Sequence, residues 1–232
     1  MLMETALDLD ALALTPLFSG LSHDNLTRVA ELLCSQTVPA GRHIMHSEQP
    51  GEMVYVLQSG TLKIHAEQPD GRDVVLALLG PGQTVGEMSI IDREGRSATV
   101  STLEECHLLS MGRVAFLDCV TTMPALSMNL MRILSSRLRL ANATIQALAA
   151  LDTRGRVARQ ILALADEYGR HMDDGIHIPL SLTQSDLADI VGASRVRVNQ
   201  VLMEYRQQGT ISVDGAHHVT IHDRDALARR AR

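Results

Sequence analysis

Residues 180–208 read LSLTQSDLADIVGASRVRVNQVLMEYRQQ, and the rest of the chain is best read outward from them. Thr183 or Ser185 caps a short helix whose apolar residues Leu187, Ile190 and Val191 fall on one face. Gly192-Ala193 supplies a tight reversal. Ser194 then caps a second helix with a core face of Val198, Val201, Leu202 and Tyr205. Two such helices joined by a glycine-bearing turn form a helix-turn-helix. The outward face of the second helix carries Arg195, Val196, Arg197, Asn199, Gln200 and Arg206, and Glu204 is the only acid between residues 194 and 208. Thr210–His222 predicts a short hairpin around Asp214-Gly215, so the unit is winged. In such a unit the start of the second helix enters the DNA major groove, where arginine hydrogen-bonds guanine O6 and N7. Ser194, Arg197 and the Thr183-Gln184 backbone then lie near phosphates and set the register. A plain αα-hairpin with a solvated polar face is the alternative, and the dense spacing and the wing favour DNA.

Moving toward the N-terminus, a helix carrying Val157, Ile161, Leu162, Leu164 and Ala165 ends near Gly169. The pattern breaks at Leu151-Asp152-Thr153, the expected hinge. Before it, Pro124 opens a long helix, an allowed place for proline. Met131, Leu134, Leu138, Ala141, Ile145 and Leu148 recur at alternating spacings of three and four. That heptad seam predicts a two-stranded coiled coil holding a homodimer, the alternative being a stripe that packs on the chain's own N-terminal half.

From residue 38 to about 112 the glycines at 41, 51, 60, 71 and 80 separate β-rich runs: Val54–Leu57, Thr61–His65, Asp73–Leu78 and Ala98–Thr102. Gln68-Pro69-Asp70-Gly71-Arg72 has the chemistry of a hairpin turn. Short strands at this spacing predict an antiparallel barrel or jelly roll. Ahead of it, Ser22 caps a short helix with Leu26, Val29, Ala30 and Leu33 at helical spacing. The expected fold class is therefore α+β. An N-terminal antiparallel β-roll spans 1–122, a dimerisation helix 123–150 and a winged helix-turn-helix 154–232.

Composition narrows the function classes. At 232 residues the chain exceeds one usual domain, and 45% apolar with 21% charged residues is ordinary globular usage. The longest apolar run, Val74–Leu79, is far short of the roughly 20 residues of a membrane helix. The first nine residues carry acids where a secretory signal carries base, so a cytoplasmic protein with no membrane partner is expected. Cys34, Cys106 and Cys119 have no close spacing and predict neither disulfides nor a metal. Residues 1–150 hold 10 basic residues against 16 acidic, and residues 151–232 hold 11 against 11. Bulk charge therefore does not drive polyanion binding, and any DNA contact comes from a local cluster.

One stretch of the β-rich half has the residues of an anion cradle. Gly86-Glu87-Met88 is followed, after a short apolar turn, by Arg96-Ser97-Ala98 leading into a strand. Gly86 permits close backbone approach. Arg96 neutralises a phosphate with charge-assisted bonds and Ser97 adds a hydroxyl. Glu87 fits such a site if it accepts from a sugar hydroxyl and pairs with a second arginine. Chemistry alone leaves an ordinary β-turn with a surface Glu–Arg pair equally open.

Taken together, the order of barrel, long helix, hinge and winged helix-turn-helix resembles the CRP/FNR family of bacterial transcription regulators over essentially the whole chain. Gly86-Glu87 with Arg96-Ser97-Ala98 is similar to the family's phosphate-binding cassette. Leu151-Asp152 before Gly155-Arg156-Val157-Ala158 is similar to its hinge, and Thr183-Gln184 with Ala193-Ser194-Arg195 to its DNA-binding signature. The cassette looks most like that of the cAMP-binding members. The resemblance implies cAMP or a similar cyclic nucleotide as effector, no covalent cofactor and no catalysis. It also implies a homodimer on a palindromic double-stranded DNA operator, with RNA polymerase as a further partner. By the same resemblance Arg96 and Ser97 hold the cyclic phosphate, Glu87 the ribose 2′-hydroxyl, and Arg137 neighbours Glu87. Asn142 reaches the partner subunit's pocket. It occupies an e position beside the heptad seam, which agrees.

Three positions depart from the pattern. Ala141 stands where cAMP-binding members place a threonine hydroxyl on adenine. Val196 and Gln200 replace an acidic and a basic reader in the recognition helix; valine touches a thymine methyl and glutamine suits adenine. The operator is therefore expected to be palindromic with its own consensus. The N-terminal cysteine cluster of the iron–sulfur branch is missing.

Two other readings use the histidines. A haem-dependent gas sensor of the same superfamily needs axial ligands from among His43, His46, His65 and His107. A cupin-type metalloenzyme needs paired ligands, and His43 and His46, three apart on a presumed strand, are expected to face opposite sides. His217, His218 and His222 read as a polar wing near phosphate.

Overall fold

The computed structural model describes residues 7–67 and 73–231. The hairpin turn expected at Gln68–Arg72 lies outside the described residues. The chain opens with α1 (Leu9–Ala13) and α2 (His23–Leu32), followed by β1 (Cys34–Val38), β2 (His43–Met45), β3 (Met53–Ser59), β4 (Leu62–Glu67), β5 (Asp73–Leu79) and β6 (Thr84–Val85). Then come α3 (Met88–Ile91), β7 (Thr99–Thr102), β8 (Cys106–Gly112), α4 (Arg113–Thr122), the long α5 (Pro124–Ala150) and α6 (Thr153–Tyr168). The chain ends with β9 (Arg170–Met172), β10 (Gly175–Ile178), α7 (Gln184–Val191), α8 (Arg195–Gln207), β11 (Ile211–Val213), β12 (Val219–Ile221) and α9 (Arg224–Arg230).

This is the α+β architecture expected from the sequence: jelly-roll sheets, a long helix and a C-terminal helix-turn-helix. The N-terminal sheets are ordered β1-β8-β3-β6 and β2-β7-β4-β5. Adjacent Leu108 and Leu109 on β8 are both buried, and because neighbouring strand residues point to opposite faces, the first sheet is covered on both sides. On one face, Val54 opposite Met111 and Val56 opposite Leu109 meet a helical cluster that includes Leu12, Phe18, Leu26, Val29, Phe116, Leu126 and Leu130. Buried Asn129 on α5 donates to the carbonyls of Leu17 and Ser19, which ties the segment between α1 and α2 to the long helix. No single helix among the described residues is long and apolar enough to cross a membrane.

Residues up to Ile64 form one compact unit with Leu79–Leu138, and His65–Leu78 clusters in a second with Arg139–Arg232. In the second unit, α6 begins at an Asp152 cap whose carboxylate accepts from Gly155 N at 2.8 Å. It packs with α7, α8 and α9. The wing is larger than expected: β9 and β10 join the predicted hairpin in a sheet ordered β11-β12-β10-β9. The reversal at Asp173-Asp174-Gly175 between β9 and β10 carries the turn signal that marks them.

Tyr205 anchors this unit, fully buried with its hydroxyl donating to Arg154 O at 3.0 Å. Burial pushes its phenol up to about 12. A folded-state pKa raised above the ordinary 10.0 keeps the associated stability below about pH 10 and loses it as pH climbs through about 12. The prediction is that Tyr205 tyrosinate absorbance grows in near pH 12 rather than near 10. Tyr205→Phe removes that component, and a Tyr205 phenol that titrates near 10 in folded protein contradicts it.

Candidate functional sites: an anion cradle and a nucleic-acid face

The cradle is assembled from β6, α3 and the loop ahead of β7. Gly86 leaves β6 at φ +88°, a conformation that favours glycine. Space makes the same demand: a Cβ here would sit 2.6 Å from Arg96 Nη1 and 2.8 Å from Met53 O. The room beside Gly86 is thus taken by the arginine of the same cassette. Arg96 is 7% exposed. Its Nη1 donates to Gly86 O at 2.7 Å and to Ser89 Oγ at 2.9 Å, and its Nη2 to Met53 O at 2.6 Å. Nε is buried without a partner. Burial pulls the guanidinium below its ordinary pKa, with Tyr55, Glu87 and Glu52 opposing from a distance. Among the described residues it makes no direct ion pair. Its backbone is pinned as well, N donating to Gln49 O and O accepting from Glu48 N, both at 2.9 Å.

Glu87 immediately precedes α3 and is 1% exposed. Its Oε1 accepts from Arg137 Nη1 at 2.7 Å, and Arg137 Nη2 also donates to the Thr84 carbonyl. Oε2 of Glu87 is buried and unpartnered among the described residues. Glu87, Arg96 and Arg137 therefore gather in one cradle, with a free carboxylate oxygen and an incompletely bonded guanidinium. Ser97 and Met88 are exposed beside it and Ala98 is buried. Ala141 and Asn142 lie further along α5, both exposed. Sequence reasoning missed Ser89 and the Met53 carbonyl as holders of Arg96. Ser89 sits one turn from Gly86 in the motif and was open to inference, whereas a backbone carbonyl leaves no trace in residue type.

The heptad positions of α5 differ in exposure. Leu134 is half-buried against the helical cluster, whereas Met131, Leu138, Ile145 and Leu148 are exposed, Leu138 to 64%.

In the C-terminal unit, the Thr183 side chain caps α7 by accepting from Asp186 N at 3.2 Å. Thr183, rather than Ser185, is the cap. Gly192 at φ +62° closes α7, and Ala193 N donates to Ala188 O at 3.0 Å. Ser194 Oγ accepts from Arg197 N at 3.3 Å and starts α8. Val198, Val201, Leu202 and Tyr205 are buried, and Arg195, Val196, Arg197, Gln200 and Arg206 are exposed, Val196 to 69%. Arg195 has no side-chain partner among the described residues, while Arg197 Nη1 donates to Gln200 Oε1 at 3.2 Å. Asn199 is half-buried and lines a cleft with Gln184, Met203, Arg206 and His217. Glu204 is tied back to Arg154 at 3.0 Å, which leaves the exposed face of α8 without free acid. At the wing, Asp214 accepts from Ala216 N and from both the backbone and ring of His218. The His218 backbone bond is the main cause that holds its carboxyl below the usual range.

One expectation is corrected. His43 and His46 do not face apart: their ring centroids are 4.9 Å from each other. A register shift between His43 and Met45 where β2 pairs with β7 breaks the strict alternation. No third histidine, cysteine, aspartate or glutamate joins them in a group that could hold a metal among the described residues.

A family model described as a cyclic nucleotide-binding domain matches residues 35–122, and one described as a Crp-like helix-turn-helix domain matches residues 155–230. A CRP-like cAMP-activated global transcriptional regulator of Mycobacterium tuberculosis is 34% identical over 223 residues, which cover 96% of this chain and 99% of the relative. The structure of FixK2 from Bradyrhizobium japonicum shares the fold with a TM-score of 0.77 at 18% identity, covering 86% of this chain and 98% of its own. The c-di-GMP-responsive global regulator CLP of Xanthomonas campestris is 25% identical with a TM-score of 0.69, over 87% of this chain and 99% of its own.

Proposed function

We propose, for a chain that belongs to the CRP/FNR family of transcription regulators, that cAMP or a closely related cyclic nucleotide controls its binding to DNA. The family makes it a DNA-binding regulator with a cyclic nucleotide-binding domain, and not an enzyme.

The observation that carries the effector reading is the buried Arg96 guanidinium, held in place by neutral acceptors and lacking an ion pair among the described residues. A buried cation without a counter-charge is costly, and an anion that completes it recovers that cost. In this reading Arg96 and exposed Ser97 take the cyclic phosphate. The unpartnered Glu87 Oε2 accepts the ribose 2′-hydroxyl, with Arg137 fixing the carboxylate. Gly86, Met88 and Ala98 line the site, and Ala141 and Asn142 of α5 serve the base, Asn142 from the partner subunit. The activity of the M. tuberculosis relative, named for cAMP, supports the choice of nucleotide.

Sensing thus belongs to residues 1–122, dimerisation to 123–150 and DNA reading to 154–232, with Leu151, Asp152 and Thr153 as hinge. The exposed apolar seam of α5 supports a homodimer, since a stripe of this kind buries itself against a second copy. Two recognition helices about 34 Å apart then read a palindromic operator through Arg195, Val196, Asn199 and Gln200. Thr183, Gln184, Ser194 and Arg197 contact phosphate. RNA polymerase is the partner through which the bound dimer acts on transcription, and the cytoplasm is its compartment. The nucleotide works by population shift: a 10⁴-fold preference for the DNA-competent state is worth about 5.5 kcal/mol.

The test is a calorimetric titration of purified protein with cAMP, cGMP and c-di-GMP, paired with gel shifts on a selected operator. The expected result is cAMP binding that tightens operator binding. Equal operator affinity with and without every nucleotide tried refutes effector control. A response to c-di-GMP alone moves this chain to the effector of the X. campestris protein, an outcome that the missing hydroxyl at Ala141 makes worth measuring.

A further inference from the structure

We propose that Arg156 is the positioning residue that couples the end of α5 to the helix-turn-helix, an inference that rests on the effector reading above. Among the described residues its guanidinium makes three hydrogen bonds, all to backbone carbonyls. Nε donates to Val191 O at 2.7 Å and Nη2 to Gly192 O at 3.3 Å, both at the C-terminus of α7. Nη1 donates to Leu151 O at 3.1 Å, just past the C-terminus of α5. Carbonyls at helix C-termini have no intrahelical donors and sit at the negative ends of the helix dipoles. One planar cation therefore answers two helix ends at once. Among the described residues no carboxylate competes for it.

The geometry makes this a clamp rather than a surface contact. Arg156 stands in the first turn of α6, directly after the hinge, and Asp152 caps that turn. The same turn also holds the recognition helix: Arg154 pairs with Glu204 at 3.0 Å, and the Arg154 carbonyl accepts from Tyr205 Oη at 3.0 Å. Gly155 lies between them, with a Cβ there only 2.9 Å from Arg230 O and 3.2 Å from Leu151 Cβ. A Cβ on Gly192 would come 3.3 Å from Leu148 Cδ2, so α5 also borders the turn that feeds α8. The first turn of α6 thus holds both helices of the reader, and a rotation at Leu151–Thr153 moves them as one piece. The Arg154–Glu204 pair is partly solvated and contributes little. The Arg156 fork spans hinge and turn in a single side chain, and lysine cannot reproduce its three directed donors.

The experiment uses full-length protein and two variants, Arg156→Met, which keeps much of the side-chain bulk without the donors, and Arg156→Lys. Operator affinity is measured with and without cAMP, cAMP affinity by calorimetry, and amide exchange at Gly192 and Ala193. In the methionine variant cAMP still binds within a few-fold. The ratio of operator affinities with and without cAMP falls by about tenfold or more, and amide protection at Gly192 and Ala193 drops. The lysine variant lies between. A folded methionine variant with the wild-type ratio and wild-type protection overturns the clamp. If the wild-type protein itself ignores cAMP, the effector reading has failed, and the clamp is judged on exchange alone, where unchanged protection refutes it. Should the methionine variant not fold, the lysine variant decides by the same measurements.

Discussion

Arg96→Ala weakens cyclic-nucleotide binding by about 2–5 kcal/mol, or about thirtyfold to several thousandfold, and with it abolishes the nucleotide response of operator binding. The size follows from where the charge sits. A solvated arginine on a phosphate contributes modestly, but this guanidinium is nearly buried and pre-aimed by Gly86 O, Ser89 Oγ and Met53 O. The organisation energy is already spent before a ligand arrives. The same three bonds predict a side effect. Removing the fork leaves buried acceptors short of donors, each at a cost of about 1–3 kcal/mol where water cannot replace it, so the N-terminal unit melts earlier. Arg96→Lys separates the two, because it keeps the charge and loses the fork. Calorimetry with each variant, alongside melting followed by circular dichroism, measures both effects. A folded alanine variant with wild-type nucleotide affinity removes the cradle from the mechanism.

The second large effect lies at the other end of the chain. Arg195→Ala costs about 1–3 kcal/mol of operator affinity and relaxes preference at one base pair of each half-site. Arg195 is exposed at the first position of α8, just after the Ser194 cap, and has no side-chain partner to surrender among the described residues. Arg197, two residues on, already shares its guanidinium with Gln200, which supports a positioning role near phosphate. Selection of bound sequences from a random library distinguishes the roles. Loss of information at a single symmetric position supports base reading by Arg195. Uniform weakening, with a salt slope reduced by about one, assigns it to the phosphate backbone instead.

The helix-turn-helix was legible because every level of the local code agreed there: Thr183 and Ser194 caps, a left-handed glycine at 192, and apolar residues at helical spacing. The β-roll was legible as a class from glycine spacing and strand composition. Its local irregularity was not. Alternation predicts opposed faces for His43 and His46, and one register shift overturns that. Strands β9 and β10 are too short to display a period, and only the Asp173-Asp174-Gly175 turn between them marks the pair, as Asp214-Gly215 marks the neighbouring hairpin. At the cradle, Gly86, Glu87, Arg96 and Arg137 could be named from residue type and motif order. What grips Arg96 could not, because two of its three acceptors are main-chain oxygens, one of them 43 residues away in sequence.

The pairing of Glu204 with Arg154 reaches beyond local geometry. The chain has a formal charge of −6, yet the exposed face of α8 presents guanidinium groups, and the one carboxylate of that helix is paired. On the proposed reading, weak general attraction leaves discrimination to the contacts that α8 makes with base edges. The salt dependence of operator binding is then set by the few phosphates its guanidinium groups neutralise, and not by the net charge of the chain.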